Sequence, residues 1–372
     1  MKSMLSPVLS GVCLLSMATY SHAEEIVFDD MTVTATRNER SALEVPASIS
    51  RKSGLEVKVD KATTQRELLN SIAGVRITQT GSTIGHMTAI RLPNSTNPYY
   101  LFLQDSIPIQ SSGFFNHNGL AYTNFSSAGS VEVFKGAGTA LYGSDAVGGI
   151  INVRSSDPMD SLGAKFSAEL GRDDFQRFEL GGAVEIDDAA AISANYSHAE
   201  GDVWRDHSEY ERDELSINYV NDLNDDNQLK IGLNVNSSES EMTSSIQGFR
   251  RYRDEPTYVG QNAERTIAAG VDPIRKFDYA RLNIEFNHIV SDTLELNTIA
   301  YIRSNRNRYN ATWESNTPTN DSKENSFGLL LKADVDMGRV HVITGLDVEY
   351  TEATREYEQE FDFVPTGFGS PV

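Results

Sequence analysis

From residue 161 onward, apolar and polar residues alternate with a period of two. In "KFSAEL", Phe166, Ala168 and Leu170 fall on one side, and Lys165, Ser167 and Glu169 on the other. The same pattern recurs in "RFELGGAVEI", "AISANY", "ELSINYV", "QLKIGLNVN", "RLNIEFNHI", "LELNTIAYIR", "SFGLLLKADV" and "RVHVITGLDVEY". Successive side chains of a strand point to opposite faces, so the pattern predicts nine strands, each with one apolar face. Their connections are unequal. "DD", "NDLNDDN", "VSD" and "DMG" are tight polar turns, whereas "EGDVWRDHSEYERD", the stretch 238–275 and "SNRNRYNATWESNTPTNDSKEN" are long. Short turns at one end and long loops at the other fit an outer-membrane barrel, whose strands turn apolar side chains to lipid. A half-buried soluble sheet shares the period but gives no reason for the asymmetry.

The residues before this region read differently. "KATTQRELLNSIAGVRITQTG" predicts a helix: Thr64 and Glu67 make a capping box, Leu68, Leu69 and Ile72 an apolar face, and Gly74 a stop. Short strands are predicted at 75–78, 89–92, 99–103 and 131–134, giving a small α+β domain that ends near residue 157. Its last stretch, "VEVFKGAGTALYGSDAVGGIINV", has five glycines. A dinucleotide fingerprint beginning at Gly136 and Gly138 needs a third glycine where Leu141 stands. A P-loop over Gly143 and Gly148 needs lysine where Gly149 stands. The glycines are therefore expected to serve chain geometry, through positive φ and close backbone approach.

Composition narrows the function. Lys and Arg total 32 against 53 Asp and Glu, a net charge of −21 that is wrong for a nucleic-acid partner. Residues 1–23 read as a signal peptide: Lys2, an apolar stretch over 4–20, then Ser21-His22-Ala23 as the cleavage site. The one cysteine, Cys13, lies inside it, so the mature chain is expected outside the cytoplasm without disulfides. No Ser/His/Asp constellation, H-E-x-x-H or zinc-type spacing is visible, which argues against an enzyme.

A small domain followed by barrel strands behind a signal peptide resembles the TonB-dependent outer-membrane receptors. The resemblance covers everything from Glu24 on. It rests on "DDMTVTATR" as a Ton box, "VPASIS" and "TQRELLNSIAGVRI" as the opening of a plug, "LFLQDSIPI" as its central strand, and the glycine-rich stretch as its closing signature. The implied fold is an α+β plug followed by an antiparallel transmembrane β-barrel. The implied layout is a Ton box and flexible segment over 24–40, a plug over 41–157, and the first part of the barrel over 158–372. Transporters of this kind have 22 strands, which need roughly 450 residues. About 215 follow the plug, so the barrel is expected to be incomplete here.

The resemblance also implies partners. Met31, Thr32, Val33, Thr34 and Ala35 would add a strand to the sheet edge of TonB. The receptor would sit in the outer membrane of a Gram-negative bacterium, among lipid and lipopolysaccharide. It would hold no resident cofactor, and its cargo would be a ferric siderophore. Haem (with His86 and His117 as axial ligands), cobalamin, a passive porin and an adhesin remain alternatives.

Candidate ligand loops are 80–88 and 110–124. The second combines Phe114, Phe115 and Tyr122 with Asn116, His117 and Asn118, a mix suited to a compact polar ligand, or to packing the plug against the barrel wall. Arg250, Arg251 and Arg253, with Arg303, Arg306 and Arg308, are assigned to external loops. They would hold an anionic chelate, bind lipopolysaccharide phosphates, or pair with nearby carboxylates.

Overall fold

The computed structural model describes residues 31–32, 34, 37, 40–41, 47–112, 119–314 and 317–358, with Met31, Thr32, Arg40, Ser41 and Phe249 described by their backbone alone. The expected signal peptide, Val33, Ala35 and the 113–118 loop tip lie outside them.

Two short paired strands, β1 (Met31–Thr32) and β2 (Arg40–Ser41), open the described chain. The small domain follows with β3 (Ile49–Ser53), α1 (Gly54–Val59), α2 (Gln65–Asn70) and the hairpin β4 (Arg76–Thr80) and β5 (Ser82–Ala89). It continues through β6 (Tyr100–Gln104), β7 (Ile107–Pro108), α3 (Gly119–Tyr122), β8 (Ala128–Phe134), α4 (Thr139–Tyr142) and β9 (Gly149–Ser155). Strands β3-β8-β9-β6-β7 make one mixed sheet, in which β6 and β9 run parallel. Its apolar core gathers Leu69, Ile77, Ile90, Val131, Val133, Ile151 and Val153.

Helix α2 forms for the expected reasons. Thr64 caps it by accepting from Glu67 N, Leu68 and Leu69 are buried, and Gly74 leaves with φ +79°. The Glu67 carboxylate answers one residue earlier than expected, on Thr63 N and Oγ1 (2.9 and 3.0 Å). In the glycine-rich stretch, Gly143 has φ +81°, and a Cβ on Gly148 would lie 2.7 Å from the Tyr100 ring. The glycines serve the turn and the close approach. The stretch ends on β9, which stays inside the small domain's sheet.

Nine antiparallel strands then pair strictly in chain order. They are β10 (Gly163–Leu170), β11 (Gln176–Asp187), β12 (Ala190–Gly201), β13 (Tyr210–Asn224) and β14 (Asn227–Glu241), then β15 (Ile274–Ser291), β16 (Leu294–Asn310), β17 (Thr319–Asp336) and β18 (His341–Glu358). The β14–β15 connection carries α5 (Phe249–Asp254) and α6 (Gln261–Ala268). Side chains such as Phe166, Leu180, Ile284, Ile302, Phe327 and Val348 lie exposed on the outer face. Ser216, Asn234, Arg281, Arg303 and Glu324 are buried on the inner one, against the small domain.

Two expectations change. The segment 80–88 is not a loop but the tip and second strand of the β4–β5 hairpin, which displaces the strand expected at 89–92. Its small and polar residues hid the strand, yet Ser82, Ile84, His86 and Thr88 are all buried. The long connection expected from 304 to 325 shrinks to residues 311–318, because β16 and β17 run on through it. At 18 residues, β17 spans roughly 60 Å, well beyond an apolar band of ~25 Å. Outside that band neither face needs apolar residues, so the strand continues where its alternation fades.

Candidate functional site: a two-faced plug in a polar wall

The small domain is clamped to the inner wall by buried arginines from the strands. Arg281 on β15 donates through Nη1 to Gln104 O (2.5 Å) and through Nη2 to Asp105 (2.9 Å). Arg303 on β16 reaches Pro108 O (2.6 Å), Ser111 (3.0 Å) and Glu349 (3.1 Å). Arg212 on β13 donates to Thr123 O (2.6 Å) and pairs with Glu214 at 2.7 Å. The Glu214 carboxylate in turn accepts from the backbone of Phe125 and Ser126. A buried guanidinium needs partners for its donors, and loop carbonyls and carboxylates meet the terminal nitrogens, while Nε of Arg281 and of Arg303 is left without one. Sequence reasoning missed these clamps. The available signal was an arginine on the polar side of an otherwise regular alternation.

On the long-loop side, Tyr122 is buried. It stacks on Tyr279 (5.7 Å), meets Phe277 edge-on (5.4 Å), and its carbonyl accepts from Asn236 Nδ2 (2.7 Å). Tyr122 therefore packs the small domain against the wall. The hairpin tip docks nearby, where Gly81 O accepts from Thr243 N (2.7 Å) and Oγ1 (2.8 Å).

His86 is sealed beneath. Its Nε2 accepts from Leu120 N (3.2 Å), its Nδ1 contacts Thr88 Oγ1 (3.2 Å), and burial followed by the Arg275 charge lowers its pKa to about 3. The ring is neutral and both nitrogens are occupied, so His86 offers no axial position to haem iron. His117 lies outside the described residues, as do Phe114, Phe115, Asn116 and Asn118.

The arginines separate into three groups. Arg250 is exposed on α5. Arg251 pairs with Glu255 (3.3 Å) and lies over the Tyr258 ring, and Arg253 pairs with Asp254 (2.8 Å). Arg303 points inward as a clamp, while Arg306, on the outer face of β16, is held by Asp321 (2.6 Å). These last residues sit on a strand, not in an external loop. Two histidine–carboxylate groups bring ligand-type atoms within 4.8 Å of one another: His198, Glu211 and Asp213, and His207, Glu241 and Asp272. His207 faces Glu241 through Nδ1 (3.0 Å) and Asp272 through Nε2 (3.3 Å), which links the β12–β13 connection to the end of β14 and the β14–β15 connection.

The N-terminal segment docks at the opposite, short-turn end. Thr34 is buried, donating from N (2.8 Å) and Oγ1 (2.6 Å) to Glu132 and accepting from Asn152 Nδ2 (3.1 Å). Arg37 makes a bidentate pair with Asp347 on β18 (3.0 and 2.6 Å) and covers the Tyr142 ring (4.4 Å). Lys332 donates to its carbonyl (2.8 Å).

A globular domain clamped against the polar inner face of strands with an apolar outer face defines the class: a plug with the leading strands of a β-barrel. Residues 41–150 match the family model of the TonB-dependent Receptor Plug Domain. The vitamin B12 transporter BtuB of Vibrio vulnificus (strain CMCP6) is 27% identical over 297 residues, covering 75% of this chain and 48% of the relative. That of Vibrio cholerae serotype O1 (strain ATCC 39315) is 30% identical over 190 residues, covering 50% and 30%.

Among solved structures, Pseudomonas aeruginosa FpvA bound to a heterologous pyoverdine superposes with a TM-score of 0.72 at 16% identity, covering 90% of this chain and 46% of that one. The ferric yersiniabactin uptake receptor FyuA of Yersinia pestis gives 0.68 at 16% identity, covering 84% and 50%. The chain thus spans about half the length of these relatives, or less. Its residues 41–150 are a TonB-dependent receptor plug domain, and the strands that follow share the fold of the receptors compared.

Proposed function

We propose that this chain is the plug and leading barrel strands of an outer-membrane receptor that takes up a metal chelate in a Gram-negative bacterium, energised by TonB. The observation that carries the reading is the two-sidedness of the plug. Its hairpin tip and α3 meet the long loops, while its N-terminal segment is stowed at the short-turn end. Met31, Thr32, Val33, Thr34 and Ala35 form the strand that TonB takes up by β-augmentation. Thr34 must leave Glu132 and Asn152 for that to happen. The outer face of the strands meets lipid, with lipopolysaccharide around its charged upper rim.

The sequence relatives favour a corrinoid cargo, since both compared above are vitamin B12 transporters. A ferric siderophore is the second reading, favoured by exposed guanidinium groups such as Arg250 that suit an anionic chelate. Phe114, Phe115, Asn116, His117 and Asn118, beside Tyr122, are the candidate plug contacts, and Arg250, Arg251 and Arg253 the candidate loop contacts. The metal travels as cargo, and no resident cofactor is required.

The test uses Val33→Cys in the full-length receptor that carries this chain, in a strain lacking its own cobalamin and siderophore receptors. Labelled cyanocobalamin and a labelled ferric siderophore are supplied separately, with disulfide trapping to a cysteine-bearing TonB. Trapping that rises with one cargo, together with TonB-dependent uptake of that cargo, is expected. Uptake without TonB, or no trapping with either cargo, would replace this reading with a passive porin or adhesin.

A further inference from the structure

Arg66, Arg76 and Arg205 line a cavity of about 330 Å³ at the long-loop end of the plug. The plug supplies Arg66 and Asn70 from α2 and Arg76 and Gln79 from β4. The β12–β13 connection supplies Trp204 and Arg205. Arg205 is held rigidly without a carboxylate: Nε and Nη2 donate to Tyr258 O (3.2 and 2.7 Å), Nη2 to Ser244 O (2.7 Å), and Nη1 to Thr243 Oγ1 (2.9 Å). A guanidinium carries five N–H donors, so one on Nη1 is left over.

Arg66 and Arg76 have no hydrogen-bond or ion-pair partner among the described residues. The neighbouring carboxylates are turned elsewhere. Glu67 is engaged by Thr63, and Asp206 accepts from Thr257 Oγ1 (3.3 Å). A chain with 53 acidic side chains against 32 basic ones has carboxylates to spare. Three guanidinium groups around one cavity without a carboxylate partner form a site built for an anion from outside.

We propose that this cavity is an anion-binding side chamber. It takes a carboxylate or phosphate group of a small ligand between Arg66 and Arg76, with the Arg205 charge behind and the exposed Trp204 indole beside it. Size limits the occupant. Pockets that hold whole small ligands run from ~300 to 1,000 Å³, so this chamber suits an acidic arm or a small acid and not an entire metal chelate. The chemistry stands on these side chains alone and holds whether or not the receptor carries corrinoid or siderophore.

The chain has two tryptophans, Trp204 and Trp313, so Trp313→Phe leaves the cavity indole as the only one. That variant of the full chain, purified in detergent at low salt, is titrated with citrate and separately with inorganic phosphate. Saturable change in Trp204 emission is expected, and the two midpoints rank carboxylate against phosphate. Arg66→Gln and Arg76→Gln should each raise the midpoint about tenfold, or ~1.4 kcal/mol. Neither side chain holds the fold together, and matched far-UV circular dichroism checks that. A non-saturable response to both anions, or an unchanged midpoint in the Arg66→Gln/Arg76→Gln double variant, overturns the proposal. Binding in detergent needs no TonB, so it stands or falls separately from uptake.

Discussion

The plug and the nine-stranded sheet are built from the same residue types turned in opposite directions. The plug collects Leu69, Ile77, Val131 and Ile151 inside and leaves charge outside, as a water-soluble domain does. The sheet exposes Ile284, Ile302, Phe327 and Val348 on its outer face and buries Arg281, Arg303, Asn234 and Glu324 inside. Burial in this molecule therefore does not mean apolar. On the proposed reading the sheet's outer solvent is lipid; its inner partner is the polar surface of the plug, so arginines become the contact residues.

The comparison is broken most severely by removing a clamp. Arg281→Met leaves Asp105, at 22% exposure, without its cation, and breaking such a pair costs about 3–5 kcal/mol. The expected outcome is a plug cleaved by protease at lower urea while the strands stay protected. Equal protection of plug and strands would show that the clamps add nothing.

The outer face gives the next largest effect. Ile284→Lys places a charge in the middle of the apolar band of β15, where it should cost ~2–4 kcal/mol. A lowered urea midpoint for the chain reconstituted in lipid checks it. No change would mean that this face does not meet hydrocarbon.

The smallest effect belongs to the exposed loop helix. Arg253 and Asp254 pair in the open, at 64% and 57% exposure, and Arg253→Gln should move stability by less than about 1 kcal/mol. A larger shift in the thermal midpoint would mean that this arginine has a contact beyond its neighbour.

The sheet was legible in the sequence because its outer face must be apolar and its period is two. All nine segments read as alternating became strands, paired in chain order. Legibility failed wherever lipid stops: the ends of β16 and β17 carry charge outside and plug contacts inside, so Arg303, Arg306 and Arg308 looked like loop residues. It failed again at Ser82 to Ala89, where small polar residues line a buried strand and satisfy one another, as Gly85 N does on Ser82 Oγ (3.0 Å). The candidate site was less readable still. Tyr122 was singled out by composition, but only its neighbours Phe277 and Tyr279, more than 150 positions away, decide which way it faces. Arg66 and Arg76 gave no local signal, because what marks them is the partner they lack in space.

The bidentate contact between Arg37 and Asp347 joins residues 310 positions apart. Each strand of the sheet can zip onto its predecessor through a short-range hairpin, which is fast, whereas so distant a closure is slow. Asp347 lies on β18, the last strand of the series, so the seat for Arg37 is finished only when that strand is in place. The N-terminal segment is therefore stowed only after β18 has formed, late in the maturation of this part of the molecule.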